Sequence, residues 1–172
     1  MNGKPHNFVI FNPDQWRGDY CGCYGHPLAQ TPSLDRLAAE GTRFDQCHVQ
    51  HTVCSPSRCS FMTGWYPHVR GHRTLTHLLR PEEPNLLKTL RDAGYEVAWY
   101  GKNDLLAQES FEDSVDYHDN VHGFLPSDVK NVFELGEPGY YSFLYEPTPR
   151  TIEEHVDTLK VNAGLEFLRR PH

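Results

Sequence analysis

Thr52-Val53-Cys54-Ser55-Pro56-Ser57-Arg58-Cys59-Ser60-Phe61-Met62-Thr63-Gly64 is the stretch around which the rest of the chain is read. Ser55 is a capping residue, and Pro56 suits a first helical turn, where a missing N–H removes no hydrogen bond. Cys54 is therefore expected just outside a helix N-terminus. Unpaired backbone N–H groups and the positive end of the helix dipole favour a sulfate or phosphate at such a place. Arg58, one turn in, adds a planar donor fork matched to oxyanions. A cysteine there is either a nucleophile activated as thiolate or a buried structural residue. The thiolate loop that encircles phosphate needs Cys-x5-Arg, and position 60 is serine, so that spacing is absent.

Upstream, Phe8-Val9-Ile10-Phe11 is an unbroken apolar run ending at Asn12-Pro13, the pattern of a strand buried on both faces of a parallel sheet. Asp14 and Gln15 follow at once. Ligands of open α/β sheets gather beyond the carboxyl ends of strands, and a carboxylate beside an amide oxygen there is either a hard-cation site or a Pro-Asp turn. Residues 31–41 predict a helix with Thr31 at the cap, Pro32 in the first turn, Gly41 after the end, and Leu34, Leu37 and Ala38 facing the core. A strand over 43–50 then leads into the Cys54 loop and carries it to the same sheet edge as Asp14.

Downstream, residues 84–93 predict a helix with Leu86, Leu87 and Leu90 on one face and Gly94 as its stop. Tyr95 to Tyr100 reads as a buried strand, which sets Lys102 just beyond its end. Residues 109–123 are acidic, with aromatic and histidine residues interspersed, and read as a solvated loop. Another strand is expected over 140–145. The last helix opens with the capping-box pair Thr151 and Glu154 and repeats Ile152, Val156, Leu159, Ala163 and Phe167 at helical intervals.

Cys54-Ser55-Pro56-Ser57-Arg58, followed by Met62-Thr63-Gly64, resembles the type I sulfatase signature, Cys-x-Pro-Ser-Arg followed by Leu-Thr-Gly, with Met62 for leucine. In that family the cysteine is converted to formylglycine. Its hydrate carries two hydroxyls on one carbon: one attacks sulfur, and loss of the other's proton expels sulfate and restores the aldehyde. The match extends over most of residues 7–102. Asp14-Gln15-Trp16, followed by Gly22-Cys23-Tyr24-Gly25, is similar to the family's paired acidic metal ligands and the segment after them, with glutamine for the second aspartate, as in the Asp-Gln-Trp variant of some sulfatases and phosphonate monoester hydrolases. Tyr66-Pro67-His68 resembles a further family segment. Gly101-Lys102 matches the start of Gly-Lys-Trp-His, from which Asn103 and Asp104 depart.

The resemblance implies an alkaline-phosphatase-like α/β sandwich, its largely parallel central sheet flanked by helices, with residues 1–172 as the N-terminal part of a truncated sulfatase catalytic domain. It implies that Cys54 is nucleophile and metal ligand, that Asp14 and Gln15 hold one divalent metal, Ca2+ before Mg2+ or Mn2+, that Arg58 fixes the formylglycine and that Lys102 grips sulfate oxygens. His72 and Asp104 are expected near the substrate, a small-molecule or carbohydrate sulfate ester. A formylglycine-generating enzyme is an implied partner. The family's second metal pair and leaving-group acid belong to later sequence, so these residues are expected to hold half a site, to be inactive alone and to expose an apolar sheet edge that favours oligomers. Two other readings stand beside this one: a phosphonate or phosphate monoester hydrolase using the same nucleophile, and a catalytically silent sulfatase-like domain.

Composition bounds the partners. The 172 residues carry a net charge of −7 and 38% hydrophobic residues, which gives no electrostatic footprint for nucleic acid and no segment apolar enough to span a membrane. Five cysteines at these spacings match neither a zinc ribbon nor a disulfide framework, so reduced thiols in a cytoplasmic protein are expected, or a periplasmic or secreted one if a leader has been removed.

Overall fold

A computed structural model describes residues 6–119, 130–142 and 144–171. The chain forms two compact units, Met1–Val49 and Gln50–His172, each with its own local logic.

In the first unit the Phe8–Phe11 run forms no strand, and its residues are 57% to 72% exposed. A strand buried on both faces needs ladder partners on both sides, and the described residues of this unit supply none. Residues 43–50 likewise form a turn and irregular backbone instead of the expected strand. Helix α1 is present as Pro32–Glu40. Leu34 and Ala38 are half-buried, whereas Leu37 is exposed.

Thr31 does not cap α1 with its side chain. Its Oγ1 instead accepts from Gly22 N at 2.9 Å and donates to Asp35 Oδ1 at 2.9 Å, while Cys23 N donates to the same carboxylate at 2.7 Å. The start of α1 thereby holds the 3-10 turn Gly22–Tyr24. A Cβ on residue 22 would meet Asp35 Oδ2 at 2.5 Å, so the approach requires glycine.

The second unit is mixed α/β. It contains α2 (Cys54–Thr63), α3 (Leu86–Asp92), β1 (Ala98–Trp99), α4 (Gln108–Ser114), β2 (Tyr117–His118) and α5 (Val156–Leu168). β1 and β2 pair in parallel, Ala98 opposite Tyr117 and Trp99 opposite His118, and Leu79 bridges Leu106 in the same sense. Cys59, Met62, Leu79, Leu87, Val97, Leu105, Leu106 and Val115 form the core beneath them.

Asn85 caps α3 by accepting from Lys88 N at 2.9 Å, and Gly94, at φ 89°, ends it as expected. Helix α4 replaces the loop predicted for the acidic stretch, of which residues 120–123 lie outside the described residues. Its buried face is polar: Ser110 Oγ donates to Leu79 O at 2.7 Å, and Ser114 Oγ accepts from Asn85 Nδ2 at 3.3 Å. Of the stretch 140–145, Tyr140–Ser142 form a 3-10 turn, Tyr145 makes an isolated antiparallel bridge to Asn131, and residue 143 lies outside the described residues. Before α5, Thr151 N donates to Glu154 Oε2 at 3.0 Å, but the cap itself is His155. No described helix is long and apolar enough to cross a membrane.

Candidate active site

Helix α2 begins at Cys54, two residues earlier than the capping pattern predicts, with Val53 in extended backbone at the cap. His51 sets this entry, its Nδ1 accepting from Val53 N at 3.0 Å. Ser55 is not the cap; it is fully buried and its Oγ lies 3.4 Å from Leu75 O, to which it donates. Pro56 still falls in the first turn, where its missing N–H removes no intrahelical hydrogen bond. Cys54 thus stands half-buried on the helix terminus itself, among first-turn N–H groups that have no intrahelical acceptor.

A second segment comes to this terminus. Beyond β1, Gly101 turns at φ 115° and its N–H donates to Asp119 Oδ1 at 3.5 Å. Lys102 follows, its Nζ 3.9 Å from Cys54 Sγ and 2.9 Å from Asp104 Oδ2. Arg58, buried in α2, donates through Nη1 to Lys102 O at 3.0 Å. Asp104 has left-handed backbone, φ 30°, which aspartate tolerates better than most residues. Burial pushes its carboxyl up, yet a hydrogen bond from the Cys54 thiol and the adjacent Lys102 ammonium outweigh this and hold it below the ordinary carboxylate value. Cys54, Arg58, Lys102 and Asp104 are therefore together.

Asn103, which sequence reasoning passed over as a departure, shapes this loop. Its Nδ2 donates to Leu106 O at 2.7 Å and its Oδ1 accepts from Leu106 N at 2.9 Å. The side chain closes the turn that presents Lys102 and Asp104. An Asn-Asp pair after a glycine carried that turn signal.

His72, expected near the substrate, is held within the scaffold of the second unit. It is buried, with Nδ1 2.7 Å from His77 O and Nε2 2.9 Å from Glu83 Oε1, so both ring nitrogens are occupied. Glu83 in turn accepts from Arg80 N at 2.9 Å.

Asp14 and Gln15 belong to the first unit, exposed in a bend after Pro13, with Gln15 at φ 54°. Their carboxylate and amide oxygens are hard donors of the kind that Ca2+ or Mg2+ takes.

A sulfatase family model matches residues 6–167. An N-acetylglucosamine-6-O-sulfatase of Bacteroides thetaiotaomicron is 33% identical over 105 residues, 61% of this chain and 19% of that protein. Canis lupus familiaris arylsulfatase H is 37% identical over 136 residues, 72% of the chain and 24% of the relative. Rattus norvegicus N-acetylgalactosamine-6-sulfatase is 31% identical over 193 residues, covering 98% of the chain and 37% of the relative. The chain thus spans about a fifth to two fifths of the length of these relatives.

Proposed function

Because the chain belongs to the sulfatase family, we propose that residues 1–172 carry the nucleophile side of a sulfuric ester hydrolase site, as the N-terminal part of a sulfatase catalytic domain. The substrate is a small-molecule or carbohydrate sulfate ester. The observation that carries this reading is the convergence of Lys102 and Asp104 on Cys54 at the start of α2.

Cys54 is the residue to be oxidised by a formylglycine-generating enzyme. Formylglycine supplies a geminal pair of hydroxyls for attack on sulfur and release of sulfate. Asp14, Gln15 and residue 54 would hold the divalent metal, Ca2+ before Mg2+ or Mn2+, which supplies Lewis-acid stabilisation of the transferring group.

The remaining work belongs to this chain's own groups. Lys102, 3.9 Å from Cys54 Sγ, sits where an ammonium binds sulfate oxygens beside the nucleophile. Arg58 holds the Lys102 backbone from beneath, so the cation is in place before substrate arrives. Such a preorganised donor is worth roughly 3 kcal/mol of barrier. Asp104 orients Lys102 and accepts a hydrogen bond from residue 54, a position from which it can align a hydroxyl there.

Mass spectrometry of the Cys54 peptide, from protein made in a host with the modifying enzyme, tests the nucleophile. Conversion of thiol to aldehyde is expected, and an unchanged thiol would favour a silent domain. Parallel assays of sulfate, phosphate and phosphonate esters on the full-length protein rank the chemistry; faster phosphonate turnover would overturn the sulfatase reading.

A further inference from the structure

Asp119 stands one residue beyond β2, as Gly101 stands two beyond β1, and the parallel pairing of the strands brings the two side by side. The Asp119 side chain is 8% exposed. Its Oδ1 accepts from Gly101 N at 3.5 Å, while Oδ2 is buried with no hydrogen-bond donor among the described residues. Charge balance comes from α5: Lys160 Nζ lies 3.6 Å from Oδ2, too long for a hydrogen bond, on a side chain 14% exposed. Phe167 anchors that helix on the strand pair, its ring centroid 5.2 Å from that of Tyr117 and 6.1 Å from that of Tyr100.

A buried ion pair of this kind stabilises a fold poorly. Desolvation offsets the attraction unless the remaining lone pairs are hydrogen-bonded, and apolar side chains of similar volume often serve stability as well or better. A buried carboxylate oxygen without a donor therefore points to a requirement other than stability. What the carboxylate touches is the peptide before Lys102. Gly101 turns there at φ 115°, a conformation open to glycine alone, with its N–H held by Asp119 and its carbonyl accepting from Trp99 Nε1 at 3.2 Å. Arg58 holds the next carbonyl, that of Lys102. Three consecutive peptide groups are thus fixed by one contact each. The Lys102 side chain is itself 48% exposed, so its aim at Cys54 is set by this backbone rather than by packing.

We propose that Asp119, backed by Lys160 of α5, is a positioning residue for Lys102. It acts through the Gly101 peptide and sets where the ammonium meets a sulfate group. This rests on the hydrolase reading of the Cys54 site, in which Lys102 grips sulfate. Helix α5, remote in sequence from the nucleophile, thereby becomes part of what fixes the anion site.

Calorimetric titration of the full-length protein with inorganic sulfate, repeated in a K102A background, tests it. D119L/K160M removes both charges and the acceptor without leaving a lone buried charge, so the fold is expected to survive; the smaller D119A/K160M does the same. D119N/K160M removes the charges and keeps an acceptor for Gly101 N. The first two are expected to bind sulfate roughly fivefold more weakly, the scale of coupling within one hydrogen-bond network, and the third to recover most of that loss. In the K102A background all three should bind alike, which a merely structural role would not give. Equal losses with and without Lys102 overturn the tether and leave the Cys54 site standing. So does a loss in D119N/K160M as large as in the other two, or unchanged binding in all three beside a weakened K102A. If K102A alone binds sulfate as tightly as the parent protein, Lys102 is no sulfate ligand, and the reading of the site falls together with its tether.

Discussion

Arg58 Nη1 donates to the backbone carbonyl of Lys102 at 3.0 Å, joining the helix that carries the nucleophile position to the loop that carries its cation. The arginine is 7% exposed, so the bond is shielded from competing water. A buried charged donor aimed at a carbonyl rather than only at a carboxylate acts on backbone position.

Arg58→Ala should destabilise the protein by about 2 kcal/mol or more, since a charge-assisted bond is lost and the Lys102 carbonyl is left without this donor. Arg58→Lys should recover little, because an ammonium lacks the planar fork. Denaturant midpoints at unchanged m measure both; full recovery by lysine would show that charge alone matters.

Asp104→Asn should leave the fold intact, as asparagine also tolerates left-handed backbone. With its carboxylate partner gone, Lys102 becomes a stronger anion site. Sulfate should bind up to about fivefold more tightly, the scale of one partly exposed ion pair. Sulfate titration by calorimetry reads this, and weaker binding would mean that Asp104 helps the anion rather than competing for Lys102.

Cys59 gives a pH window. Burial first, and then the charge of Glu83, push its thiol up to about 11 from an ordinary value of 9.0. The unfolded chain ionises this thiol before the folded one does, so stability from this group is complete below pH 9 and declines as pH rises from about 9 to about 11. Cys59→Ala should flatten that decline in pH-dependent denaturation. In native protein at pH 8, iodoacetamide should label exposed Cys47 and spare Cys59.

Glu83→Ala should cost about 2–4 kcal/mol, because His72 Nε2 and Arg80 N lose their shared acceptor in a buried place. Chemical denaturation checks the size. A loss under 1 kcal/mol would mean that water replaces the carboxylate.

The sequence read well where chain ends carried their own signals. The helix start near Cys54, the stop at Gly94 and the position of Lys102 beyond a strand all follow from local residue chemistry. It read poorly where partners decide. Phe8–Phe11 announces burial but does not contain the neighbours that would turn an apolar run into a strand. α4 was hidden because its inner face is Ser110 and Ser114, which hydrogen-bond inward rather than form an apolar stripe. The partner of His72 is Glu83, eleven positions away, a separation no local pattern reports.

Leu79 N donates to Leu105 O at 2.8 Å and Ala107 N to Leu79 O at 2.9 Å, among leucines with no exposed surface. Asp104 directly precedes Leu105 in this clamp. The lysine loop therefore takes its height from a single rung, and a slip of one residue there would carry Lys102 and Asp104 away from the start of α2. Where the ammonium stands is in this way gauged by backbone, and side-chain changes on the loop alter its charged surroundings without altering its distance from the helix.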